Sequence, residues 1–256
     1  VWAKAFLSSL KSAEAMRYVV DVRYDGTGYS GWQAQGNAVG VQTVLNKAIE
    51  TLLRHPVDAY GAGRTDAGVH ALQMPAHFDH DGELHPHFLR ALNAILPPDI
   101  SVMRVYPAPS DAFHARFSAK YRAYRYQMIF KKDPFHHRFA YFVKESLDVE
   151  AMQRGAAIIG DYNSFESFCK AGGSNKTFFC KIMDSRFEWE GDMLVYHVKA
   201  DRFLRGMVRT IMGTLLLMGK GKLDEQGLRR IIEAKDRKLA GTAVFPGGLF
   251  LSEVGY

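Results

Sequence analysis

One stretch of the sequence concentrates groups that could do chemistry: Gly61-Ala62-Gly63-Arg64-Thr65-Asp66-Ala67-Gly68-Val69-His70. Three glycines within eight residues permit a tight turn and let a bulky ligand come close to the backbone. Such a turn pushes Arg64 and Asp66 outward from the end of a strand. A guanidinium grips phosphate through a fork of N–H groups, and a carboxylate can serve as base or nucleophile. The pair therefore suits a substrate that carries both a phosphate and a reacting carbon. The same residues also fit a surface turn with an incidental ion pair. No Gly-Lys-Ser/Thr ending is present, which excludes a P-loop.

A second constellation is Phe113-His114-Ala115-Arg116-Phe117, followed by Tyr121, Arg122, Tyr124, Arg125 and Tyr126. Interleaved arginines and rings suit unpaired or flipped nucleotides, because rings stack on bases while arginine binds phosphate. In a strand, Lys120, Arg122 and Tyr124 share one face, as a stacking platform needs. Tyrosines also occur in strands because they fit a half-buried pleated surface. A third set is Arg202, Arg205 and Arg209, which on one helix would line one face. Met207, Val208, Ile211 and Met212 surround Arg209 with apolar groups, so it needs an anionic partner, and Asp66 could be that partner. A basic solvent-facing stripe is the other reading, and it fits Arg202 best. The run His77, Asp79, His80, Asp81, Glu83, His85 and His87 offers metal-ligand types. Its spacing matches no standard metal motif, and Gly82 and Pro86 suggest a solvated turn, so no metal is expected.

The elements that must position these groups follow from periodicity. Tyr18 to Tyr24 alternates as a strand and ends in the turn Asp25-Gly26-Thr27-Gly28. Val44, Leu45, Ala48, Ile49, Leu52 and Leu53 recur at helical spacing. Val57 to Ala62 and Ala71 to Phe78 flank the glycine-rich loop as extended segments, and Ala119 to Phe130 is a further strand. Helix signals cover 148–160 and 224–235. Met183 to Trp189 and Met193 to Lys199 form a hairpin around Glu190-Gly191-Asp192, and Phe203 to Met218 is predicted as one long buried helix. Mixed strands with a few long helices predict an α+β fold on a largely antiparallel sheet.

With 256 residues, 47% hydrophobic and 23% charged, the chain can bury a substantial core. A net charge of +6 favours a polyanionic partner such as RNA without requiring one. Two cysteines, Cys169 and Cys180, are too few for a disulfide scaffold or a cysteine-rich zinc site, and they fit reduced thiols in the cytoplasm. The longest apolar run, around Leu215 to Met218, is too short to span a bilayer. Residues 1–15 show no signal-peptide cleavage pattern and are expected to be a tail or an alternative start.

The residues named above, taken in order, resemble the tRNA pseudouridine synthase A family. The likeness runs from Arg17 to Tyr256. Asp25-Gly26-Thr27 and Gly31-Trp32-Gln33 resemble its first signature, and Gly61 to His70 its catalytic motif. Asn93, Leu96, Pro97, Asp99 and Ile100 resemble the turn that follows. Phe113 to Ala119 with Tyr124-Arg125-Tyr126, and Met207-Val208-Arg209 with Ile211 and Gly213, resemble the later motifs. Ala240-Gly241-Thr242-Ala243-Val244-Phe245-Pro246 departs from the family's usual Ala-Gly-Pro-Thr-Ala-Pro pattern, which bears on local pocket contacts.

The resemblance implies isomerisation of uridine to pseudouridine at positions 38, 39 and 40 of the tRNA anticodon stem-loop. It implies Asp66 as the essential aspartate, Tyr124 as the ring packed on the uracil, and Arg209 as the cation paired with Asp66. Arg64 is expected to contact RNA and assist base extrusion. Phe113, His114, Ala115, Arg116, Phe117, Arg205 and Lys176 are expected along the RNA path. No cofactor is implied, tRNA is the expected partner, and a homodimer is the expected assembly. The expected architecture has two similar halves, 16–115 with the aspartate loop and 116–256 completing the site, with a cleft between them. Modification of other RNA positions and a non-catalytic RNA-binding module are the alternatives. A binding module would tolerate loss of Asp66, and a glycoside hydrolase would need a second facing carboxylate.

Overall fold

The computed structural model describes residues 15–33, 36, 38–170, 172 and 177–256. Apart from Ala15, the expected amino-terminal tail lies outside the described residues, and so does Lys176.

The strands are β1 (Ala15–Tyr24), β2 (Tyr60–Gly61), β3 (His70–Asp81), β4 (Ile100–Pro107), β5 (Tyr121–Ile129), β6 (Tyr141–Phe142), β7 (Ile182–Glu190), β8 (Met193–Ala200) and β9 (Leu249–Gly255). They join one sheet in the order β4-β1-β3-β9-β5-β8-β7, with β2 on β3 and β6 on β5. Among the described residues, only β3–β9 and β5–β6 pair in parallel; every other pairing of these strands is antiparallel. The helices are α1 (Val41–Leu53), α2 (Phe88–Ile95), α3 (Val149–Gly160), α4 (Met207–Gly219) and α5 (Glu225–Ala234). This is the α+β fold on a mixed, largely antiparallel sheet that the sequence predicts.

Local chemistry explains the boundaries. Asp148 and Asp224 cap α3 and α5 by accepting from the N–H groups of Ala151 at 2.8 Å and Gly227 at 2.6 Å. The β7–β8 hairpin turns at Gly191, whose φ of 60° suits glycine. Val19 and Val20, adjacent on β1, are both fully buried, so this central strand is covered on both faces.

Several expectations are corrected. Only Tyr60–Gly61 of the 57–62 segment pairs as strand, and β5 begins at Tyr121 rather than Ala119. The long helix starts at Met207, because Gly206 before it sits at φ +70° and breaks the helical path. Arg202 and Arg205 therefore precede α4, and the three arginines do not line one helix face. β3 runs on to Asp81, so His77, Asp79, His80 and Asp81 belong to a strand, not a turn. There His77 is buried, Asp79 pairs with Arg17 at 2.7 Å, and His80 bonds to His55 at 3.0 Å.

Two clusters of buried side chains pack on the sheet. One gathers α1, α2 and strands β1, β3 and β4; the other gathers α3, α4, α5 and strands β5 and β8. They meet where β3 runs parallel to β9, pairing His70 with Phe250 and Ala71 with Leu251. Tyr124 packs against both clusters. The glycine-rich loop ends at this seam.

Candidate active site

The loop between β2 and β3 is braced by the turn after β1. Trp32 N–H donates to the Thr65 carbonyl at 3.4 Å, and Gly68 N–H donates to the Tyr29 carbonyl at 3.3 Å. A Cβ on Gly26 would stand 2.0 Å from the Val69 carbonyl oxygen, and one on Gly31 would stand 2.2 Å from that of Thr65. Only glycine allows backbones to come this close. Beneath the loop, the buried Tyr24 hydroxyl lies 2.8 Å from Thr65 Oγ1. Asp66 thus projects from a segment fixed on both sides.

Its carboxylate meets Arg209, with Oδ2 3.4 Å from Nη1 across 143 residues of sequence. Arg209 is itself held, since its Nε donates to the Val244 carbonyl at 2.8 Å and Val244 N–H returns a bond to the Arg209 carbonyl at 3.2 Å. The amino-terminal end of α4 has no side-chain cap and no acid in its first turn. Asp66 brings an anion there: a Cβ on Gly206 would sit 3.9 Å from its Oδ2. A negative charge at this end of a helix is favoured by the unpaired N–H groups and the helix dipole. Both side chains keep partial exposure, 26% for Asp66 and 20% for Arg209, so a ligand can reach the pair.

Tyr124 of β5 lies beside them. Burial, and then the negative charge of Asp66, hold its phenol above the ordinary tyrosine range, so it stays neutral. Its ring lies nearly perpendicular to that of Phe203, 5.0 Å between centroids. The structure therefore brings Asp66, Arg209 and Tyr124 together.

The remaining expected residues divide. Arg64, Arg116, Phe117 and Arg205 are exposed. Phe117 is 75% exposed, with the Arg116 guanidinium over its ring at 5.5 Å. Phe113 and Ala115 turn into the core, and half-buried His114 packs on His77 at 4.5 Å. Ala115 is held from both sides, its N–H donating to His77 Nδ1 at 3.2 Å and its carbonyl accepting from Tyr256 at 2.8 Å. Phe113 and Ala115 are thus covered, whereas the half-buried His114 ring lies beside exposed Phe117, 4.4 Å between centroids. The platform reading of Arg122 is corrected too, because its guanidinium is occupied by backbone carbonyls.

Some contributors gave no signal of their own in the sequence. Val244 acts through its carbonyl, which any residue supplies. His70, almost fully buried, accepts from Gly26 N–H at Nδ1, 2.9 Å away, and donates from Nε2 to the Gly247 carbonyl at 3.0 Å. Burial outweighs the nearby Asp25 carboxylate and keeps its pKa below the ordinary histidine value, consistent with that neutral tautomer. It stitches the first turn to the segment before β9.

An aspartate held by an arginine beside a neutral tyrosine has the groups to act as base or nucleophile next to a planar ring. Comparison with known proteins agrees. Residues 21–118 and 159–256 match the family described as tRNA pseudouridine synthase. Over 242 residues the chain is 46% identical to a Parabacteroides distasonis protein named tRNA pseudouridine synthase A, covering 94% of this chain and 96% of that one. A protein of the same name from Bacteroides thetaiotaomicron is 47% identical over 244 residues, covering 94% and 90%. Another, from Bacteroides fragilis, is 44% identical over 243 residues, covering 94% and 96%. With most of its length matched and its glycine-braced aspartate in place, the chain belongs to the tRNA pseudouridine synthase family.

Proposed function

We propose that the protein isomerises uridine to pseudouridine at positions 38, 39 and 40 of the tRNA anticodon stem-loop, with Asp66 as its catalytic carboxylate. The observation that carries this reading is the Asp66–Arg209 pair, 3.4 Å apart, beside Tyr124.

The reaction breaks the N1–C1′ bond of uridine, turns the uracil and joins C5 to C1′. The hydrogen on C5 leaves and N1 gains one, so the balance is an isomerisation with no redox change and no added group. Asp66 can serve it as a nucleophile or as a base toward the sugar. Arg209 fixes the direction of the carboxylate, and Tyr124 offers its ring to the uracil. Reaching the base means lifting it from its stack, at a cost of about a few kcal/mol. Arg64, Arg116 and Phe117, exposed near the aspartate loop, would offset that cost through phosphate and stacking contacts. Arg205 belongs to the same RNA path.

The finer parts of the reading are a division into halves 16–115 and 116–256 acting as one catalytic unit, a homodimer, and a cytoplasmic location. Two buried clusters meeting at Tyr124 support the first. The homodimer and the location rest on the family resemblance. Among the described residues, no helix is long and apolar enough to cross a membrane.

The test is to incubate the purified protein with unmodified tRNA transcripts and map pseudouridine along each. Product confined to positions 38 to 40 is expected. Product only elsewhere contradicts the assigned positions, and absence of product contradicts the activity. Light scattering is expected to give twice the chain mass; a monomer would contradict the homodimer.

A further inference from the structure

Arg122 sits two residues before Tyr124 on β5 and, among the described residues, bonds no carboxylate. All five of its N–H donors go to backbone carbonyls instead. Nε and Nη2 fork onto Ala62 at 3.3 and 2.8 Å, and Nη1 reaches Ala119 at 3.2 Å and Asp201 at 3.0 Å. Nη2 also donates to Arg116. Such saturation is a property of the planar guanidinium; a lysine ammonium has three donors on one atom.

The acceptors come from three separate segments, and each carries an arginine close by. Ala62 lies two residues before Arg64 in the aspartate loop, Arg116 is itself an acceptor, and Asp201 directly precedes Arg202. One half-buried cation therefore draws together the backbones that bear three more. Mutual repulsion works against such a gathering. After burial, the charges of Arg64 and Arg202 are what hold Arg116 below the ordinary arginine range. Among the described residues none of the three forms an ion pair. The Asp201 carboxylate turns to the backbone instead, accepting from the N–H groups of Lys181 at 2.8 Å and Arg202 at 2.7 Å. Three cations gathered with no ion pair among the described residues leave a site whose natural occupant is a polyanion's phosphate.

We propose that Arg122 is a positioning residue that assembles Arg64, Arg116 and Arg202 into one site for a backbone phosphate of the RNA substrate. Arg122 does not touch the RNA. It acts through Ala62, Arg116 and Asp201, and the same bond to Ala62 fixes the start of the loop that carries Asp66. The site rests on the proposed action on tRNA, and it adds Arg202 to the residues that meet the substrate.

The experiment compares wild type, Arg122→Lys and Leu228→Ala with an unmodified tRNA transcript. Leu228 is fully buried on α5 and serves as a control for loss of stability alone. Two quantities are read: the slope of log affinity against log salt, and the single-turnover rate at saturating enzyme. Arg122→Lys keeps the charge but cannot span the carbonyls. Its salt slope is expected to become shallower by about one or more, and its rate to fall on the order of 100-fold from misplacement of the loop. Leu228→Ala keeps the wild-type slope. An Arg122→Lys protein with wild-type slope and rate overturns the proposal. If Arg122→Lys does not fold, Arg116→Ala, Arg202→Ala and the double variant decide the matter. Sharing one phosphate makes their binding losses non-additive, whereas strictly additive losses overturn it. Failure of the parent reading looks different, since the wild type would then form no pseudouridine.

Discussion

Tyr24 and Arg209 control Asp66 by different routes. Tyr24 fixes the backbone through the side chain of Thr65, and Arg209 fixes the carboxylate directly. Tyr24→Phe removes one buried partner from Thr65 and should cost about 1–3 kcal/mol of stability, read by denaturant unfolding, with kcat falling more than KM rises. Arg209→Lys keeps a positive charge but cannot hold Val244 and Asp66 at once. Its single-turnover rate is expected to fall on the order of 100-fold with tRNA affinity nearly unchanged; an unchanged rate would mean that charge alone suffices. At this scale the sequence was readable where a side chain's chemistry conflicts with its neighbours. An arginine flanked by Met207, Val208, Ile211 and Met212 demands an anion, and Asp66 meets it. Arg122 was not readable in this way. Its acceptors are carbonyls, which every residue carries, so no pattern of residue types announces them.

Among the elements, the turn between β1 and α1 has the most exacting task. It presses on the aspartate loop where only a residue without a Cβ fits. Gly31 also has φ +91°, a conformation that strains any L side chain. Gly31→Ala should therefore displace Thr65 and Asp66 together, lowering the melting temperature and abolishing turnover; a fully active variant would show that the brace is dispensable. The hairpin β7–β8 and helices α3 and α5 were legible because glycine at the turn and aspartate at the caps mark their ends. α2 and β4 were not anticipated. Their patterns are nonetheless present in the residues: Phe88, Leu89 and Leu92 recur at helical spacing in α2, and buried Ile100 and Val102 alternate in β4. The start of α4 is different: apolar spacing continues through Phe203 and Leu204, while the break comes from the backbone at Gly206.

On the scale of the whole molecule, the seam between the two buried clusters carries the site, and β3, which runs from it, holds the buried neutral histidines His70 and His77. His77 supports Ala115 and hence the exposed Arg116 and Phe117. Burial, then the charges of His114 and Arg17, bring its pKa down from 6.5 to about 4. Between these values the unfolded chain binds the proton more readily than the folded one. The stabilising contribution is thus complete above pH 6.5, declines as pH falls through that window, and is gone below about 4. Melting temperatures across this range should show the decline, and His77→Gln should flatten part of it; an identical profile would contradict a neutral His77 in the fold. The α+β class was legible from the mixture of periods. The parallel β3–β9 junction was not, because it joins segments 180 residues apart in the pairing of His70 with Phe250.

The central claim concerns Asp66, and its most direct test separates chemistry from binding. Release of the C5 hydrogen from uridine-labelled tRNA should be measured for wild type and Asp66→Ala, alongside the affinity of each for the same tRNA. The predicted result is loss of hydrogen release with affinity retained within a few-fold. Full release by Asp66→Ala would contradict the account.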